Sequence, residues 1–213
     1  VTTPEDLTHL AAVAALSDSV RRNAYRIVSE AKPDPVGRDE VAEALGVGRT
    51  LAAFHLDKLV AAGLLDASYA RLSGRTGPGA GRPAKLYHLA AAEHAVSVPP
   101  RAYRGAAELL AEALERVGAE ETLNEVARAH GRGLRSADVV TRLTEQGYEP
   151  DFSGETAIFR NCPFHRLAEH FPPLVCGMNL ALINGLLEGS EWSARMDAAP
   201  GRCCVTLSKS KSD

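Results

Sequence analysis

The chain has 213 residues, 45% of them hydrophobic and 24% charged, with a formal net charge of −3. That is enough to bury one large core or two small ones, in proportions ordinary for a globular protein. It has no apolar run long enough to span a bilayer, and its start, "VTTPEDLTHLAAVAAL", lacks the basic opening and cleavage pattern of a secretory signal. The expected location is therefore the cytoplasm, with no membrane partner. Cysteines there stay reduced unless they hold metal or do redox chemistry, so a structural disulfide is not expected.

The charge is unevenly spread. From Arg49 to Ala90, six basic residues (Arg49, Lys58, Arg71, Arg75, Arg82, Lys85) stand against two acids, Asp57 and Asp66. That local balance of +4 leaves −7 for the rest. A basic segment inside an acidic chain points to a polyanionic partner.

In chain order, "LSDSVRRNAYRIVSEA" predicts a helix capped by Ser17 or Asp18, with Val20, Ala24, Ile27 and Val28 on one face. "GRDEVAEALGVGRTLAAFHLDKLVAAGLL" predicts two more. The first carries Val41, Ala44 and Leu45. Gly46-Val47-Gly48 breaks it, and the second runs from about Arg49 to Ala62 with Leu51, Phe54 or His55, Leu59 and Val60 inward. Two short helices joined by a glycine turn make a helix-turn-helix. "LLDASYARL" and "AKLYHLA" read as strands around "SGRTGPGAGRP", a glycine- and proline-rich tip with two arginines.

Helix-turn-helix followed by a basic hairpin is the order of a winged helix, whose second helix enters the major groove of DNA. The expected contacts are Arg49, Thr50, Ala53, His55 and Lys58 on that helix, with His55 read as a phosphate or base-edge contact. Arg71, Arg75, Arg82 and Lys85 are expected along the phosphate backbone.

"SVPPRAYRG" is a proline-marked linker. Amphipathic stretches follow: "AYRGAAELLAEALERVG", with Ala106, Leu109 or Leu110, Ala113, Leu114 and Val117 as its stripe, then "EETLNEVARAHGRGLRS" and "SADVVTRLTEQG". One of them is expected to carry a homodimer contact, since winged-helix proteins read two-fold operators as dimers. From Tyr148 the pattern becomes a hairpin ("YEPDFSG", "ETAIFRN"), a short helix ("PFHRLAEHF"), a strongly apolar helix ("PPLVCGMNLALINGLLEGS") and two closing strands ("EWSARMD", "RCCVTLS"). The expected fold class is α+β. Residues 1–95 form a winged helix-turn-helix domain, 96–147 a linker and helical dimerisation region, and 148–213 a small α+β sensor domain.

All four cysteines fall in that last part. Cys162 and His165 form C-x2-H, Cys176 lies early in the apolar helix, and Cys203-Cys204 lie in the last predicted strand. Four chemistries compete. Zinc would take Cys162, His165, Cys176 and one of the pair. An iron–sulfur cluster would take three or four thiolates with an occasional imidazole. A Cys162-His165 nucleophile has poor geometry for acyl transfer and no orienting third group. Inert buried thiols fit Cys176 well and the other three poorly. Adjacent strand residues face opposite ways, so Cys203 and Cys204 should not both reach one site unless the strand is irregular there.

A winged helix ending in "GRPAKLYHL", followed by "NCPF", "LVCGMNLALINGLLEG" and a C-terminal "RCCV", resembles the ArsR-like bacterial regulators, in particular the SufR-type repressors of iron–sulfur cluster assembly operons. The resemblance covers most of the chain, and the cysteine motifs are its most specific part. It implies three cysteine ligands to an iron–sulfur cluster whose loading or damage changes operator affinity. Those ligands would be Cys162, Cys176 and either Cys203 or Cys204, the customary interval favouring Cys204. The wing is extended from Gly74 to Pro83 and "GMN" departs from those repressors, which leaves His165 or an open iron position as the fourth ligand.

The resulting expectation is a non-enzymatic, dimeric DNA-binding repressor controlled by a 2Fe-2S or 4Fe-4S cluster. Its rivals are a regulator with structural or sensory zinc, a small-molecule sensor using the "LALINGLLEG" helix as a pocket wall, and a thiol enzyme fused to a DNA-binding module.

Overall fold

The computed structural model describes residues 4–71, 83–199 and 201–209. The chain divides into two compact units, residues 1–101 and 102–213.

The first unit opens with a helix the sequence reading did not assign, α1 (Pro4–Ala15), whose Ala12 and Ala15 enter the core. α2 (Ser19–Glu30) starts at Asp18, whose Oδ1 accepts the Arg21 N–H at 2.8 Å and so satisfies one unpaired donor of the first turn. β1 (Val36–Gly37), α3 (Arg38–Leu45) and α4 (Arg49–Ala61) follow. Gly46 ends α3 at φ +66°, a conformation glycine adopts without steric cost, and this turns the chain into α4 within three residues. β2 (Leu65–Ala70) and β3 (Ala84–Leu89) are antiparallel, and β1 adds to the far edge of β3, giving the order β1-β3-β2. Helices α2, α3 and α4 followed by this hairpin are the winged-helix arrangement. Val28, Val41, Leu56, Leu59, Leu65 and Tyr87 close its core.

The face that α4 buries differs from expectation. Ala52, His55, Leu56 and Leu59 point inward, whereas Leu51 and Phe54 are 45% and 52% exposed. On α3, Val41 and Ala42 are buried and Ala44 is exposed. Both helices carry apolar residues around more than one stripe, and tertiary packing selects between them.

The second unit holds α5 (Tyr103–Val117), α6 (Glu120–Gly133), α7 (Val139–Glu145), β4 (Pro150–Ser153), β5 (Thr156–Phe159), α8 (His165–His170), α9 (Pro172–Leu187), β6 (Trp192–Met196) and β7 (Val205–Lys209). The sheet order is β4-β5-β7-β6, antiparallel throughout, with Ala157 opposite Leu207 and Ile158 opposite Thr206. The last strand, β7, thus pairs with β5, the strand that leads to Cys162.

Residues 96–147 do not form a separate helical region. α6 lies along α9, Val139 and Leu143 of α7 enter the core formed with the sheet, and the boundary falls at Arg101 rather than 95. The cause is the composition of α9, which is apolar all round and must be covered on two sides. Ala181 and Leu182 meet Ala127 of α6, while Ile183, Leu186 and Leu187 join Phe159, Val205 and Leu207 of the sheet.

Two glycines set the α6–α9 distance. A Cβ on Gly131 would lie 2.1 Å from the Leu182 carbonyl oxygen, and one on Gly185 would lie 2.1 Å from that of Arg128. Only a glycine pair lets the two backbones approach this closely.

Candidate functional site

Two groups of side chains are candidates for function, one in each unit. In the winged unit, α4 presents Arg49, Thr50, Leu51, Phe54, Asp57 and Lys58 to solvent. Arg49 Nε lies 2.5 Å from Asp39 Oδ1 on α3, which fixes the guanidinium at the start of the helix. Lys58 Nζ sits 5.7 Å from the Phe54 ring centroid. Lys85 Nζ is 2.6 Å from Asp57 Oδ1, and the Tyr87 hydroxyl donates to the same oxygen at 3.0 Å. Burial pushes the Asp57 carboxyl up, but those two partners outweigh it and hold it below the usual carboxylate range. Lys85 is thus partly neutralised within the protein. Arg71 is exposed, and Arg75 and Arg82 lie outside the described residues.

His55 does not belong to this face. It is 6% exposed, with Nδ1 3.8 Å from Asp18 Oδ1, because it packs beneath the N-cap of α2. Its role as a phosphate or base-edge contact is withdrawn. In its place the structure exposes Leu51 and Phe54, which periodicity had assigned to the core. Apolar groups on such a helix can meet thymine methyls.

In the second unit the four cysteines meet. Cys162 follows β5, Cys176 lies in the second turn of α9, and Cys203 and Cys204 immediately precede β7. Because the strand begins only at Val205, the alternation rule does not govern the pair, and both side chains turn to the same site. Cys203 interacts with Cys162 and with Cys204, and Cys204 with Cys176, so the thiols follow one another as a row of neighbours in the order 162, 203, 204, 176. The Cys203 N–H donates to the Phe159 carbonyl at 3.0 Å, and the Asp197 N–H to that of Cys204 at 2.7 Å, which locks the pair against β5 and the end of β6.

The row is electrostatically uneven. The hydrogen bond from Cys162 is the main cause that brings Cys203 down to about 6, and backbone and Asn179 donors add to it. Cys162, the donor, is pushed up, as is Cys204, the latter chiefly by burial. Tyr148, pushed up by burial and then by the thiols, remains a neutral hydroxyl.

His165 stands apart. Its side chain is 68% exposed and Nε2 lies 3.3 Å from Glu169 Oε1 one turn along α8, so the structure pairs it with a carboxylate at the surface. The polar residue that does reach the sulfurs, Asn179, was not singled out by sequence. Its signal was an amide three residues after Cys176 in an otherwise apolar helix.

Among the described residues, no group of three or more His, Cys, Asp and Glu side chains is disposed to hold a metal ion. By donor chemistry, four neighbouring thiols are the soft ligands a polynuclear iron–sulfur group takes, and Cys162, Cys176, Cys203 and Cys204 are the residues that would hold it.

The central turns of α9 are taken up by α6 and the sheet, while Leu186, Glu188 and Gly189, at and just past its end, line an open cavity of about 760 Å³ with residues 135–140 and 190–192. His165 faces Glu169 one turn along α8 rather than Cys162, which is not the arrangement of a nucleophile and its base.

No protein-family model matches the chain, and no curated protein matches it. Among solved structures it is similar to the solution NMR structure of the homodimeric winged helix-turn-helix DNA-binding domain (fragment 1–100) of a possible ArsR-family transcriptional regulator from Mycobacterium bovis. Identity is 21% over 55% of this chain and 83% of that one, with a TM-score of 0.30. The winged-helix assignment rests on the helix order and strand order described above. Among the described residues no helix is long and apolar enough to cross a membrane.

Proposed function

We propose that the protein is a dimeric DNA-binding transcriptional regulator whose C-terminal thiols hold an iron–sulfur cluster that sets operator affinity. The observation that carries this reading is the meeting of all four cysteines, from three separate segments, in a chain that also contains a winged helix with a basic hairpin. When bound, the cluster would supply a centre responsive to iron supply or oxidants.

The protein's own residues do the rest. Arg49, Thr50, Leu51, Phe54 and Lys58 form the surface that enters the major groove, and Arg71, Arg75, Arg82 and Lys85 are assigned to the phosphate backbone. Arg49→Ala is expected to weaken binding about tenfold to a duplex enriched from random DNA by the wild-type protein, at unchanged cofactor content. Equal affinity at low salt would remove α4 from the interface.

The dimer contact is assigned to α5. Its Ala107, Ala111 and Leu114 turn towards its own unit. Tyr103, Ala106, Leu110, Ala113 and Val117 repeat at three- and four-residue intervals on the adjoining face, with Tyr103, Leu110 and Val117 66–75% exposed. That spacing is a coiled-coil seam, and a second copy of the chain would cover it. α8, which begins three residues after Cys162, touches α5. Loading of the thiols would order the Cys162 segment and α8, and α8 would reset α5 and with it the spacing of the two DNA-reading helices. Leu110→Glu is expected to convert the dimer to a monomer in sedimentation analysis and to weaken binding to a two-fold duplex roughly a hundredfold. A charged variant that stays dimeric would move the contact elsewhere.

A further inference from the structure

The side chain of Asn179 is buried at 1% exposure in the middle of α9. A lone amide in an apolar helix is costly unless every polar atom finds a partner. Here both ends are engaged. The Tyr148 hydroxyl, itself buried, donates to Oδ1 at 2.5 Å, and Nδ2 donates to Cys203 Sγ at 3.4 Å. The two partners also fix the orientation of the amide. With the hydroxyl donating to Oδ1, the NH2 group is the end that faces Cys203 Sγ. Tyr148 is held in turn by packing against Phe159, ring centroids 5.0 Å apart, on the strand whose carbonyl anchors Cys203.

Building on the iron–sulfur reading above, we propose that Asn179, oriented by Tyr148, is a positioning residue for the thiol site. It fixes the rotamer of Cys203 and withdraws electron density from its sulfur. Of the four cysteines, Cys203 is the one this amide serves. Hydrogen bonds to ligating sulfurs stabilise the reduced form of a cluster, and groups behind the ligands commonly change metal affinity by about ten- to a hundredfold. Because Asn179 sits on the helix whose position is set by Gly131 and Gly185, its donor is delivered by the rigid α6–α9 pair rather than by a loop.

The test has two arms. In cofactor-free protein kept reduced, the side-chain amide protons of Asn179 are followed by NMR in wild type, Cys203→Ala and Tyr148→Phe. Tyr148→Phe keeps the ring and its packing. One amide proton is expected to shift downfield and to lose that shift in both variants. If neither variant moves the resonance, the hydrogen-bonded relay is overturned, whatever the protein binds.

In anaerobically reconstituted protein, the midpoint potential is compared between wild type, Tyr148→Phe and Asn179→Leu. Both variants are expected to fall to lower potential, with a modest fall in melting temperature for Tyr148→Phe, which leaves Asn179 Oδ1 without its partner. Equal potentials would reduce Asn179 to a packing residue and overturn its tuning role. Failure of wild type to take up iron and sulfide would overturn the iron–sulfur reading and the tuning role built on it, while the NMR arm would still decide the relay.

Discussion

Gly185→Ala is expected to destabilise the C-terminal unit by about 3 kcal/mol, at the upper end of what overpacking in a core costs. The new methyl would fall 2.1 Å from the Arg128 carbonyl oxygen and 3.1 Å from the Arg128 Cα, and these are backbone atoms of α6 that no side-chain rotation can clear. The helices must separate, and the contacts among Ala127, Ala181 and Leu182 go with the separation. For a unit of this size the loss corresponds to a fall in Tm of roughly 12 to 20 °C. Gly131→Ala should behave alike, since its methyl meets the Leu182 carbonyl oxygen and the Leu186 nitrogen. Gly133→Ala, at the end of the same helix with nothing within 4 Å, should be neutral or slightly stabilising. Calorimetry on the three variants checks this, and an unchanged Tm for Gly185→Ala would show that α6 and α9 do not pack as described.

The second large effect concerns the sulfurs. Cys203→Ser is expected to abolish cofactor retention while leaving a folded dimer, because Cys203 touches Cys162, Cys204 and Asn179 and occupies the middle of the row. A serine hydroxyl can still accept the Asn179 N–H, so the buried amide keeps a partner, but it is a poor ligand for iron. Cys176→Ser at the end of the row should also lose the cofactor. His165→Ala should not, since its imidazole faces Glu169. Metal analysis and circular dichroism on the purified variants decide the matter. Normal iron content in Cys203→Ser would place the ligands elsewhere, and lost iron in His165→Ala would restore it as a ligand.

Much of the fold was legible because its signals are local. The Gly46-Val47-Gly48 break, the Asp18 cap, the hairpin at Ser153-Gly154 and the apolar run from Pro172 each speak through a few adjacent residues. What was not legible depends on tertiary choice. α4 offers two apolar stripes, and only the packing of α2 against it shows that His55 is inside while Leu51 and Phe54 are outside. Nothing in a sequence distinguishes Gly131 and Gly185 as a contact, since the partners are backbone atoms of another helix.

In the thiol site, the cysteines announced themselves by number and spacing. Their order did not, because it depends on β7 starting one residue after Cys204. His165 was drawn in by its nearness in sequence to Cys162, yet one turn of α8 carries it to a carboxylate. Asn179 was passed over because a single amide in an apolar helix has no meaning until its two partners, 31 and 24 residues away, are seen beside it.

The most direct test of the central claim is the iron, acid-labile sulfide and zinc content of the full chain, purified strictly without air, together with its visible spectrum. Matching iron and sulfide, with a brown colour that bleaches in oxygen and is lost in Cys203→Ser, is the result required. A colourless protein, whether with stoichiometric zinc or with no metal at all, would contradict it.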